Sequence, residues 1–245
     1  MRYLGLDGCK AGWALVGLSP DLVASFRLLP SIRELSDYLD EARQVLIDIP
    51  IGLRHRESEE RLCDKQARRL LGRRASSVFP APSRCVLSCD DYAQANARNR
   101  ACTGRGLSRQ SWSIMAKIRA VDVYLCAEPH RRLIREMHPE VCFWALNGGR
   151  PMAHNKKTRA GYEERIALLA RFVPGARQMV EAALAAYPRK QVARDDIVDA
   201  LVGAATAALP GELHTLPDPP GRDEAGLPME IVFRLAQDAG GATVA

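Results

Sequence analysis

What this chain lacks narrows its class before anything it contains. No apolar run approaches the roughly 18 residues that a membrane-spanning helix requires. Nor does the N-terminus carry a basic segment followed by a long apolar one, as a secretory leader would. These absences argue against a membrane partner. The seven cysteines are odd in number and scattered, only Cys85 and Cys89 lying close together, and no CxxC pair occurs. A zinc site and a disulfide framework are therefore both disfavoured, and reduced thiols in a cytoplasmic protein fit best. Internal repeats are also missing.

What is present is ordinary in bulk. Hydrophobic residues make up 47% and charged residues 26% of 245 positions, the balance of a globular protein able to bury a full core. The net charge of +6 permits a polyanionic partner without requiring one, because clustering matters more than totals.

The order of elements is more informative. "YLGLDG" (3–8), "GWALVGL" (12–18) and "LVASFRLL" (22–29) read as three short strands joined by tight turns, an antiparallel meander. "SIRELSDYLDEA" (31–42) opens with Ser31 and Glu34 spaced as a capping box, predicting an amphipathic helix. "QVLIDIPIG" (44–52) is a continuous apolar run of the kind buried on both faces, hence a parallel strand. From about 51 to 130 the texture changes to helices and turn-rich loops, including a strong helix over 57–72. This stretch reads as an insertion or lid. "RLIREMHPE" (132–140) returns to strand character, and helices are expected at 141–149, 161–173 and 196–209. Residues 1–209 thus form one domain, and 210–245 form a Pro/Gly-rich tail with an edge strand at "PMEIVF" (228–233). The fold class is α/β, a five-stranded mixed sheet in the order β-β-β-α-β-α-β-α with helices on both sides.

One stretch resists a purely structural explanation. "RDDIVDALVGAATAAL" (194–209) sets Asp195, Asp196 and Asp199 at the head of an otherwise apolar helix, although like charges three or four residues apart repel. Capping accounts for Asp195 as N-cap and Asp196 beside the positive end of the dipole. Asp199 lies a turn further in, among Ile197, Val198, Leu201 and Val202. Other acids fall at strand ends: Asp7 on the first, Asp48 inside "VLIDIP", and Glu136 and Glu140 around "REMHPE". Each has a local explanation, a turn for Asp7, backbone donors for Asp48, a helix start for Glu140. Together they are the donor set that divalent-metal chemistry needs, since Mg²⁺ takes oxygen ligands and a metal pair activates water beside a phosphodiester.

The motifs "GLDGCKAGW", "IDIPIGL", "RLCDKQARRLLG", "VFPAP", "GRGLSRQSW", "EMHPEVCFWALNG", "NKKT" and "DDIVDA", in this order over roughly residues 1–209, resemble domain of unknown function family 429. That family is described as predicted ribonuclease H-like nucleases. The resemblance implies a ribonuclease H-like fold and Mg²⁺- or Mn²⁺-dependent cleavage of nucleic acid, DNA or RNA. Asp7, Asp48, Asp196 and Asp199 would hold metal, and Glu136, His138 and Glu140 are the candidates for supporting it or managing protons. Asp48 is shorter than the Glu usual in related resolvases.

Basic residues offer a substrate surface. Residues 54–74 carry a net +4, with Arg68 the candidate contact, although Asp64 and Arg68 at i, i+4 are also placed to pair. Lys156 and Lys157 precede a helix and suit phosphate. Trp112 and Trp144 either stack on bases or pack in the core. Two alternatives to a nuclease stand. One is a non-catalytic binding module on the same fold. The other is a phosphate-handling enzyme of the actin-like ATPase or sugar-kinase type, suggested by "GLDGCKAGW". The oligomeric state is open, a homodimer included.

Overall fold

The computed structural model of the chain describes residues 1–236. In chain order it contains β1 (Tyr3–Cys9), β2 (Gly12–Leu18), β3 (Ala24–Leu29), α1 (Ser36–Leu39), β4 (Gln44–Asp48) and α2 (Leu62–Leu71). There follow α3 (Tyr92–Thr103), α4 (Arg109–Ser113), α5 (Met115–Ala127), β5 (Ile134–Glu136), α6 (Pro139–Leu146) and α7 (Arg159–Leu169). The chain then runs through α8 (Ala176–Ala186), α9 (Arg194–Ala208), β6 (His214–Arg222) and β7 (Pro228–Phe233).

Five strands form one mixed sheet in the order β3-β2-β1-β4-β5. The first three are antiparallel neighbours, and β1, β4 and β5 run parallel. Period-two alternation on β1 sends Leu4 and Leu6 to one face and Gly5, Asp7 and Cys9 to the other. The first face packs against Leu35, Leu39, Ile118, Val121 and Leu125; the second packs against α9 through Ala200, Leu201 and Ala204. Helices therefore cover both faces, as a sheet with parallel members requires. Among the described residues no helix is long and apolar enough to cross a membrane.

Contact between α9 and β1 depends on two glycines. A Cβ on Gly5 would stand 2.0 Å from the Ala200 carbonyl oxygen and 2.3 Å from the Ala204 nitrogen. One on Gly203 would stand 3.2 Å from Gly5 Cα. Backbone thus rests on backbone, which brings the first turns of α9 against the carboxyl end of β1.

Several expectations need correction. The region 31–42 has the Ser31/Glu34 capping box, but its helix is a 3-10 turn at Ile32–Leu35 followed by four α residues ending at Leu39. The fourth strand stops at Asp48 instead of Gly52, because Pro50 has no N–H to donate and Gly52 adopts φ 69°. The helix expected over 57–72 occupies Leu62–Leu71. The segment 51–130 is no mere lid: α5 supplies Ile118, Val121 and Leu125 to the core under the sheet. The strand expected over 132–140 is only Ile134–Glu136, since His138 already caps α6. Helix α8 was not anticipated. Residues 210–236 are no loose tail: β6 and β7 pair in a separate two-stranded sheet, and Met137 bridges to Val232, so 228–233 is a strand as expected but not an edge of the main sheet. Residues 237–245 of the expected tail lie outside the described residues.

Candidate functional site

The parallel register sets Asp7 directly beside Asp48 at the carboxyl ends of β1 and β4, on the face covered by α9. The glycine contact brings Asp199 over them from the helix. One carboxylate oxygen from each of Asp7, Asp48 and Asp199 lies within 4.8 Å of the others. Asp7 is 9% exposed and Asp199 1%. Asp7 and Asp48 line a cleft of about 750 Å³, within the size range of small-ligand pockets, and Lys156, the partner of Asp199, lines it too.

The polar partners of these acids are few. Lys156 donates to Asp199 at 2.5 Å. Asp196 accepts the Ala193 N–H at 2.8 Å, half of a capping box across the start of α9. Among the described residues no hydrogen-bond donor reaches Asp7 or Asp48. The backbone donors expected for Asp48 near Pro50 are absent, and a turn does not account for Asp7. Asp195 is the second residue of the helix, not its N-cap, which is Ala193.

Burial, more than any other influence, disfavours charge on these groups, and their mutual repulsion adds to it. Asp7 is pushed well above the usual carboxylate range by burial and then by Asp48 and Asp199. Asp48 rises to about 7, from burial and then Asp199. Asp196 rises to about 6, chiefly by burial, and Asp199 rises despite Lys156. Lys156 moves upward because of Asp199 and stays charged. Among the described residues, Lys156 alone forms an ion pair with any of these three carboxylates, so the cluster is short of positive charge.

Other candidates lie around the cleft in different roles. Glu136 is taken up by Arg61, at 2.7 Å to each oxygen, and by the Ile51 N–H at 2.6 Å, outside the three-carboxylate group. Glu140 pairs with the buried Arg165, leaving its Oε2 without a partner. His138 faces the Ser77 carbonyl through Nε2 at 3.2 Å, and burial lowers its pKa, favouring neutral imidazole. Lys157 lines the cleft. Arg68 does not: it bonds Glu60 and the Val78 carbonyl, and Asp64 pairs with Arg61 instead, which replaces the expected Asp64–Arg68 pair. The two tryptophans pack edge-on against aromatic rings, Trp112 on Tyr92 and Trp144 on Phe233.

Sequence reasoning overlooked Arg61 and missed the burial of Asp64, both under 4% exposed, because a run such as "ESEERLCDKQ" reads as a solvated helix face. It also missed Lys117, which crosses Gly8, donates to the Gly12 carbonyl at 2.6 Å and lines the cleft, and Phe79, 40% exposed at the same cleft. No sequence spacing marks either one.

Fold and site together define an α/β protein with a carboxylate cleft at the ends of its central parallel strands. Over residues 5–222 the chain matches the family described as "Protein of unknown function (DUF429)", and it belongs to that family. No curated protein and no solved structure matches it.

Proposed function

We propose that this protein is a Mg²⁺- or Mn²⁺-dependent nuclease with a ribonuclease H-like arrangement of its sheet. The strand order, with an antiparallel meander leading into parallel β4 and β5, supports the fold reading. Carboxylates at the ends of neighbouring parallel strands stand where α/β sheets place their sites. The observation that carries the functional reading is the pair Asp7 and Asp48, adjacent, largely buried, and without a donor. Acids kept for structure recruit N–H groups; acids kept for a cation do not need them.

Asp7, Asp48 and Asp199 are the proposed ligands, and Asp196 stands behind them, oriented by Ala193. A bound divalent ion would polarise a phosphodiester and lower the pKa of a coordinated water. Lys156, released from Asp199, and Lys157 hold the phosphate backbone from the cleft wall, and Lys117 contributes positive potential from the other side. Neutral His138 is placed to accept a proton at Nδ1, which has no partner among the described residues.

The test is a panel of single-stranded, duplex and branched DNA and RNA incubated with each metal. Wild-type protein cleaves at least one substrate, and cleavage is lost in EDTA and in Asp48→Asn. Wild-type protein inert on the whole panel with both metals contradicts the proposal. The Lys156–Asp199 ion pair favours a second reading, a non-catalytic module in which the lysine serves as resident cation. That reading expects no response of stability to metal.

A further inference from the structure

A second cavity, of about 420 Å³, lies beside the edge strand β5, between the end of α5 and the β6–β7 hairpin. It shares no lining residue with the carboxylate cleft. Its walls include Leu125, Leu227 and Pro228, and it is lined by four arginines, Arg131, Arg132, Arg135 and Arg222, against one acid, Glu230.

The acids around this cavity all have partners other than Arg131, Arg132 and Arg222. Glu230, 1% exposed, grips Arg135 through both oxygens, at 2.7 and 2.5 Å, and accepts from the Thr215 hydroxyl. Asp223 turns to Arg84 and to the N–H groups of Leu53, Ala225 and Leu227. Asp122 also holds Arg84. Glu128 is occupied by Ser36 and by the N–H of His130. Among the described residues, Arg131, Arg132 and Arg222 therefore have no carboxylate partner. Arg222 is steadied at the rim by donating to the Gly226 carbonyl at 2.8 Å.

Three unneutralised guanidinium groups around an apolar hollow make a specific chemical demand. Guanidinium forks match phosphate oxygens in pairs, and their faces stack on flat rings. Low-dielectric walls concentrate the field of such charges. A bare anion would leave the apolar walls unused, and the volume lies in the range of small-ligand pockets. We infer that this cavity binds the phosphate-ester group of a nucleotide, its base or sugar lying against the Leu125 and Leu227 wall. The nucleotide is either free or part of a nucleic-acid chain.

The experiment is done in EDTA, so that the carboxylate cleft is without metal and the result stands apart from the proposed nuclease activity. Fluorescence polarisation and thermal shift are measured with ADP, GMP, a short oligonucleotide and inorganic pyrophosphate. The proteins are wild type, Arg222→Ala and the triple variant Arg131→Ala/Arg132→Ala/Arg222→Ala. All three arginines are exposed, so these variants are expected to melt like wild type without ligand. A mononucleotide or the oligonucleotide binds wild type, and at least tenfold more weakly the triple variant. Arg222→Ala falls between. Preference for ADP or GMP identifies a free nucleotide as the source, and binding of the oligonucleotide alone identifies a chain. The inference is overturned if neither binds, if pyrophosphate binds as tightly as the nucleotides, or if the triple variant binds undiminished.

Discussion

Replacing Asp48 with asparagine should make the metal-free protein more stable, contrary to the usual effect of changing a buried polar group. Asp48 has no donor to lose, and it carries a charge that burial and Asp199 disfavour. Its pKa of about 7 in the folded chain, against 3.8 in the unfolded one, means the native state holds a proton that the unfolded state has released. Stability therefore falls as pH rises between those two values and stays reduced above about 7. Three pKa units correspond to about 4 kcal/mol, an upper bound, since relaxation and water in the cleft discount it. The amide carries its own burial cost, which leaves a gain on the order of 1–3 kcal/mol at pH 8. For a chain of this length that is a rise of roughly 2–12 °C in Tm. At pH 4, where Asp48 is protonated, the difference between variant and wild type should vanish. With millimolar Mn²⁺ the order should reverse, since the ion stabilises only the state that binds it. The assay is thermal unfolding of both proteins across pH 4–8, in EDTA and in Mn²⁺. If Asp48→Asn lowers Tm in EDTA at pH 8 as much as at pH 4, the carboxylate has a structural partner and the reasoning fails.

Three other perturbations probe the supports of the site. Gly5→Ala forces α9 off β1, where a Cβ would stand 2.0 Å from the Ala200 oxygen, so urea denaturation should show a loss of about 3 kcal/mol together with weakened Mn²⁺ binding; near-wild-type stability contradicts the close packing. Arg61→Ala strands Glu136 and Asp64 as unpaired buried carboxylates and should cost about 3–5 kcal/mol by urea denaturation, a loss under about 1 kcal/mol contradicting the buried ion network. Lys156→Met removes the cation paired with Asp199, so the metal-free protein should melt lower at pH 8 and the Mn²⁺-induced rise in Tm should exceed that of wild type. An unchanged rise would mean that lysine and metal do not compete.

The architecture was readable wherever periodicity and turn chemistry agreed. The meander over residues 3–29 and the buried run at Val45–Ile47 appear where alternation and apolar continuity put them. The approach of Asp7, Asp48 and Asp199 was legible because strand ends and the first turns of a covering helix converge in any α/β sheet. Helix α8 escaped notice because "ARQMVEAALAA" follows Pro174 and Gly175 without a Ser, Thr, Asp or Asn cap; Gly175 itself is the N-cap. Strand β6 was hidden by the three prolines of "HTLPDPPGR", which are tolerated because it pairs only with β7. Charge pairing was the least legible feature. Spacing allowed Asp64 to meet Arg68, yet burial brought Asp64 and Glu136 together onto Arg61, and Glu140 to Arg165, a residue 25 positions away. Long side chains choose partners in three dimensions, and neighbouring positions in the chain do not reveal that choice.

The central claim is that three acids remote in sequence form one cation site. Anomalous diffraction from crystals soaked in Mn²⁺ above neutral pH tests it most directly. The expected result is a peak bounded by Asp7, Asp48 and Asp199, with the Lys156 ammonium moved away from Asp199. Crystals that show no peak there at high Mn²⁺, with Lys156 still bonded to Asp199, would contradict it.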